Sequence, residues 1–79
     1  MRHSDRPQPR LGKAIRQLRK QRNATQEEIA EAAGITGPTL SLVERGYANP
    51  TWATVEDIAR ALDVSVSELA RAAERFEQG

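Results

Sequence analysis

At 79 residues the chain has room for one small domain and not for separate catalytic and regulatory units. It has no cysteine, which excludes disulfides and thiolate metal sites, and one residue each of Trp, Tyr and Phe, which leaves the core to Leu, Ile, Val and Ala. The net charge of +1 conceals a division: residues 1–25 carry eight basic residues against Asp5, and residues 26–79 carry four basic residues against ten acidic ones. One end therefore suits a polyanion, while the other stays solvated or meets a partner.

Residues 1–9, "MRHSDRPQP", hold two prolines and no apolar residue beyond Met1, the composition of a flexible basic arm. No apolar stretch follows Met1, so neither a signal peptide nor a membrane span is expected, and a cytoplasmic location is the default. "RLGKAIRQLRKQR" sets Leu11, Ile15 and Leu18 on one helical face with basic residues around the rest, and Asn23 can close that helix in the left-handed conformation. In "TQEEIAEAAG", Thr25 and Glu28 form a capping box, Ile29, Ala30 and Ala33 a narrow apolar face, and Gly34 a stop. After only Ile35 and Thr36, a third helix begins at Gly37 and runs to Gly46. A linker of Tyr47, Ala48, Asn49 and Pro50 follows; Thr51 then caps a fourth helix with Trp52, Val55, Ile58, Ala59 and Leu62 directed inward. Ser65 and Glu68 form a second capping box, opening a fifth helix through Val66, Leu69, Ala73 and Phe76. No β-type alternation of useful length occurs. The expectation is an all-α domain of five short helices over residues 10–76, with residues 77–79 as a tail.

Helices two and three, joined by a short glycine-containing turn, have the form of a helix-turn-helix over about residues 26–45, the motif whose second helix enters the DNA major groove; a helix–glycine–helix pair in any bundle has the same spacing. At about 100° per residue from Gly37, Leu40 and Val43 share one face, with Thr39 and Glu44 at its edges. Gly37, Pro38, Ser41, Leu42 and Arg45 share the other. Behind a Thr36 cap, Gly37 and Pro38 occupy the first turn, where the backbone N–H has no helical partner and proline is tolerated. Neither can hydrogen-bond a base edge through a side chain, so direct reading shifts to Thr39, Ser41, Leu42 and Arg45. Leu42 is either a singly exposed leucine or a contact for a thymine methyl. Arg45 can fork onto guanine, take a phosphate, or stand solvated at a helix C-terminus. Thr36 can face phosphate as well as cap. Tyr47 and Asn49 are candidate phosphate contacts, and Trp52 a core or hinge residue packing the linker. Arg2, Arg6 and Arg10 can follow the DNA backbone, enter a flanking minor groove, or only add salt-dependent affinity.

"TQEEIAEAAGITGPTLSLVERG" resembles the XRE family, the helix-turn-helix domains related to phage Cro and lambda-type repressors. Thr25, Gln26, Ile29, Ala30, Gly34, Ile35, Thr36, Leu40, Ser41, Val43, Glu44 and Gly46 carry the resemblance. "LGKAIRQLR" is similar to the family's first helix and "NPTWATVEDIARALDVSVSEL" to its fourth and fifth, so the likeness runs from Leu11 to Leu69. Asn23-Ala24 and Asp63 stand where the family often has glycine, and Asn and Asp are the residues best able to replace it there. The resemblance implies a lambda-repressor-like fold, double-stranded DNA as partner, and neither cofactor nor metal. It makes Gln26 a grip on backbone phosphate, supported by its amide and the free N–H groups of the helix start. It makes Arg19 and Glu44 an ion pair tying the first helix to the third.

Related proteins bind as two-fold dimers to half-sites about 34–36 Å apart. Leu69, Ala73 and Phe76 offer a stripe for such a dimer, unless Phe76 folds back onto the first helix. The expected function is a sequence-specific regulator, an autoregulating repressor or controller on a palindromic operator. The alternative is an antitoxin or adaptor acting through a protein partner such as a toxin or polymerase. An enzyme is not expected: the one histidine, His3, lies in the arm, and no nucleophile–base pair is placed by the pattern.

Overall fold

Helix-favouring patterns and caps resolve into α1 (Pro9–Gln21), α2 (Gln26–Ala33), α3 (Gly37–Glu44), α4 (Trp52–Ala61) and α5 (Val66–Glu74) in a computed structural model that describes residues 8–76. Among the described residues there is no strand. α1 starts at Pro9 rather than after it, with proline in the first turn, where its missing N–H is not needed. The remainder of the expected arm, including Arg2, His3 and Arg6, and the tail 77–79 lie outside the described residues.

Four of the five helices start on a hydroxyl cap. Thr25 and Ser65 close reciprocal capping boxes with Glu28 and Glu68, and Thr36 and Thr51 accept from the backbone N–H three residues on. The first four helices share one way of stopping. Asn23 (φ 55), Gly34 (φ 74), Gly46 (φ 78) and Asp63 (φ 60) take the left-handed conformation. The N–H of the next residue then reaches back to satisfy a carbonyl of the last turn: Ala24 to Arg19, Ile35 to Ala30, Tyr47 to Leu42 and Val64 to Ala59. Each reversal is local, so short helices pack on each other without long connections.

α1 packs on α3 and α5, α2 on α3 and α4, and α4 on α5. Ile15, Leu40, Ile58, Leu62 and Leu69 are the large fully buried side chains, with alanines 14, 30, 33, 59 and 72 letting the helices approach. Two inward and outward assignments change. Trp52 is 65% exposed: it is the first residue of α4, and the fully buried side chains of that helix begin only at Ile58. Leu69 is 1% exposed and belongs to the core, so it cannot line a dimer surface. Ala73 and Phe76 are half-buried, and Phe76 lines a shallow groove against Lys13, Arg16, Gln17, Lys20 and Gln21 of α1. The folded-back position is the one Phe76 takes.

Two glycines set how closely α3 approaches α1. A Cβ on Gly12 would stand 2.4 Å from the Val43 carbonyl oxygen and 2.5 Å from that of Glu44. One on Gly46 would stand 2.8 Å from the Pro9 Cα. The end of α3 is thus seated on the bare backbone at the start of α1.

Candidate nucleic-acid interface

α2, the turn Gly34–Ile35–Thr36 and α3 form a helix-turn-helix unit held from behind. Leu40, Val43 and Glu44 of α3 are buried, whereas Pro38, Thr39, Leu42 and Arg45 are exposed and Gly37 and Ser41 are half-buried. Leu42, at 44% exposure, is one of three large apolar side chains left open among the described residues; the others, Tyr47 and Trp52, follow within the same stretch of chain.

The seating of α3 rests on a polar cluster built from three helices. Arg19 donates from Nε to Glu44 Oε2 at 2.7 Å and from Nη2 to Glu44 Oε1 at 3.0 Å, while its Nη1 donates to the Ala24 carbonyl at 2.9 Å. The pair is bidentate, the geometry in which guanidinium and carboxylate interact most strongly. Glu44 holds the Arg19 pKa above its ordinary value, chiefly through this hydrogen bond, and burial only partly opposes it. Gln26 completes the cluster: its Nε2 donates to Glu44 Oε1 at 3.0 Å. Sequence reasoning gave Gln26 an outward role only. Here one of its two amide hydrogens goes to Glu44, leaving the other for a second acceptor beside the α2 start.

At the start of α3, Thr39 N–H donates to Thr36 Oγ1 at 3.2 Å, and the Thr36 hydroxyl donates to Thr39 Oγ1 at 2.8 Å. Thr36 is therefore committed as a cap, and the Thr39 hydroxyl keeps its own hydrogen to donate outward. At the other end, the Arg45 guanidinium lies 5.0 Å from the centre of the Tyr47 ring. That stack restrains a long side chain that would otherwise be free. Left-handed Gly46 between them brings the two side chains together, a signal available in "RGY" that the sequence reading did not use. Asn49 is exposed in the same linker.

Chemically, the surface offers donors at Thr39 and Arg45, an apolar contact at Leu42 and helix-start N–H groups beside Gln26. Among the described residues no group of His, Cys, Asp or Glu is placed to hold a metal ion, and no helix is long and apolar enough to cross a membrane.

Residues 10–72 match the family model described as a helix-turn-helix domain. The chain is 42% identical over 59 residues to YazB, an uncharacterized HTH-type transcriptional regulator of Bacillus subtilis, covering 75% of this chain and 86% of that one. Among solved structures it is similar to the restriction-modification controller protein C.AhdI from Aeromonas hydrophila, with TM-score 0.76 and 31% identity over 77% of this chain and 92% of that one. It is also similar to SinR, the master regulator for biofilm formation, solved in complex with DNA, with TM-score 0.71 and 38% identity over 76% and 97%.

Proposed function

Because the chain belongs to the XRE family of helix-turn-helix proteins, which are DNA-binding transcription regulators and not enzymes, we propose that it acts as a sequence-specific repressor or controller that lays α3 in the major groove. The observation that carries this reading is the division of α3. Leu40, Val43 and Glu44 hold it from behind, while Pro38, Thr39, Leu42 and Arg45 are exposed. In this reading Leu42 meets a thymine methyl, Thr39 and Arg45 donate to base edges or phosphate, and Ser41 lies close enough to help. Thr36, Gly37 and Pro38 bring the backbone near the DNA, and Gln26, Tyr47 and Asn49 take phosphates. A cytoplasmic location follows from that role. Retardation of duplex DNA by the purified protein, falling steeply as salt rises, is the expected result. Absence of retardation at low salt contradicts it.

Two copies on half-sites about 34–36 Å apart would supply the specificity that one short helix lacks. Their contact would involve Ala73 and the exposed edge of Phe76, with Leu69 beneath. Sedimentation showing a monomer at tens of micromolar, both free and with operator DNA, would refute the dimer. The competing reading, an antitoxin or adaptor working through a protein partner, draws support from Tyr47 and Trp52, which are 70% and 65% exposed. A protein that pulls down a partner through Trp52 yet leaves duplex DNA unretarded would favour it.

Three substitutions separate the roles on the DNA side. Arg45→Ala is expected to weaken binding by about 1–3 kcal/mol and to relax preference at one base pair. Tyr47→Ala reproduces part of that loss, about 0.5–1 kcal/mol, because the guanidinium loses its platform. Uniform weakening over all sequences would reassign Arg45 to phosphate. Gln26→Ala is expected to weaken all duplexes alike in a titration of several sequences, and a changed consensus would contradict its phosphate role.

A further inference from the structure

The first two residues of α3, Gly37 and Pro38, lack a base-reading side chain, and another helix puts a charged group beside them. Glu27, in the first turn of α2, sets its Oε2 at 3.6 Å and its Cγ at 3.9 Å from where a Cβ on Gly37 would stand. The carboxylate therefore occupies space into which a longer residue at position 37 would extend, beside the outward face of α3. It is exposed. The nearby Arg19 directs its donors to Glu44 and Ala24 instead. An ionised carboxylate only accepts hydrogen bonds. Against phosphate it is repelled, so on a DNA-facing surface its favourable partner is a donor on a base edge. The major groove presents two such donors, the amines of cytosine and adenine, and adenine sets the N7 acceptor beside its amine, where it opposes the second carboxylate oxygen.

We propose that Glu27 is a specificity-determining residue of this interface, accepting from the N4 amine of a cytosine in the place that Gly37 leaves open. The inference rests on the reading of α3 as the groove-entering helix. It explains how a helix beginning Gly-Pro keeps a base reader at its very start, and it adds a charged acceptor to a surface whose charged reader, Arg45, only donates.

Binding-site selection from random duplex DNA, run on the natural protein, Glu27→Gln and Glu27→Ala, tests it, with circular dichroism melts to establish that each is folded. The natural protein is expected to select a cytosine at one position per half-site, and Glu27→Ala to lose that preference alone. Replacing that cytosine by 2-pyrimidinone, which lacks the amine, is expected to weaken the natural protein about tenfold and Glu27→Ala hardly at all. This arm needs no variant beyond a control. The proposal is overturned if Glu27→Ala keeps the cytosine preference. It is equally overturned if that variant binds every sequence more tightly with the same consensus, since the carboxylate would then only repel phosphate. A natural protein that selects no consensus would bring down the DNA-reading role of α3 itself, a result distinct from either.

Discussion

Arg19→Met is expected to lower the stability of the domain by about 3 kcal/mol, the lower end of what breaking a buried ion pair costs. The loss comes from what stays behind. The Glu44 side chain is only 2% exposed and has Arg19 on both oxygens, so methionine leaves a carboxylate away from water with the Gln26 amide as its remaining partner. Arg19 itself lies nearer the surface, its side chain 11% exposed, and water reaching the gap keeps the cost from rising further. A chain of this length has about 4–12 kcal/mol of stability in all, so 3 is a large share. In a thermal melt it corresponds to a fall of roughly 12 °C or more. Arg19→Met combined with Glu44→Leu is expected to recover most of the loss, because no unpaired charge remains. The double variant separates stability from function: without the clamp across α1, α2 and α3, its affinity for DNA stays low even where it is fully folded. Restored stability together with unchanged DNA affinity would show that the cluster holds the fold and does not orient α3.

Gly12→Ala is expected to destabilise by at least about 2 kcal/mol, although alanine in a helix interior ordinarily gains about 1 kcal/mol over glycine. The added methyl has nowhere to go. It meets the carbonyl oxygens of Val43 and Glu44 at 2.4 and 2.5 Å, backbone atoms at the end of α3 that cannot swing aside as a side chain would. To admit it, α3 must lift from α1, which also stretches the Arg19–Glu44 contact. The control is Gly34→Asn: a Cβ there meets nothing within 4 Å, and asparagine tolerates the left-handed conformation, so a change of less than about 1 kcal/mol is expected. A pair of melts decides between them, and equal midpoints for the two variants would contradict the close approach.

What could be read from the chain was what is local. Caps at Thr25, Thr36, Thr51 and Ser65 depend on residues three positions apart, and Asn23 is legible as a left-handed helix end because its backbone demand is set by its own helix; Asp63 is legible as a glycine substitute only through the family resemblance. The inward Leu40 and Val43 and the outward Leu42 follow from helical period alone. The missed features are long-range. Trp52 fits the apolar spacing of α4, but period does not say where along a helix the neighbouring helices stop covering it. Leu69 fits an outward stripe by period, but it is buried because α5 packs on both α1 and α4. The inward bond of Gln26, the seat on Gly12 and the approach of Glu27 to Gly37 each join different helices. Gly12 did carry a signal, a glycine amid a helical pattern that marks close backbone approach, although nothing in the sequence named α3 as the partner.

α3 is proposed to read duplex DNA by sequence. That role is tested most directly by selecting binding sites for the purified protein from random duplex DNA and then titrating the winning site against a scrambled one at several salt concentrations. The expected result is a two-fold symmetric consensus with half-sites about one helical turn apart, and a preference over scrambled DNA of about a thousandfold or more at physiological salt. Enrichment of no sequence, with equal affinity for selected and scrambled duplexes, would contradict it.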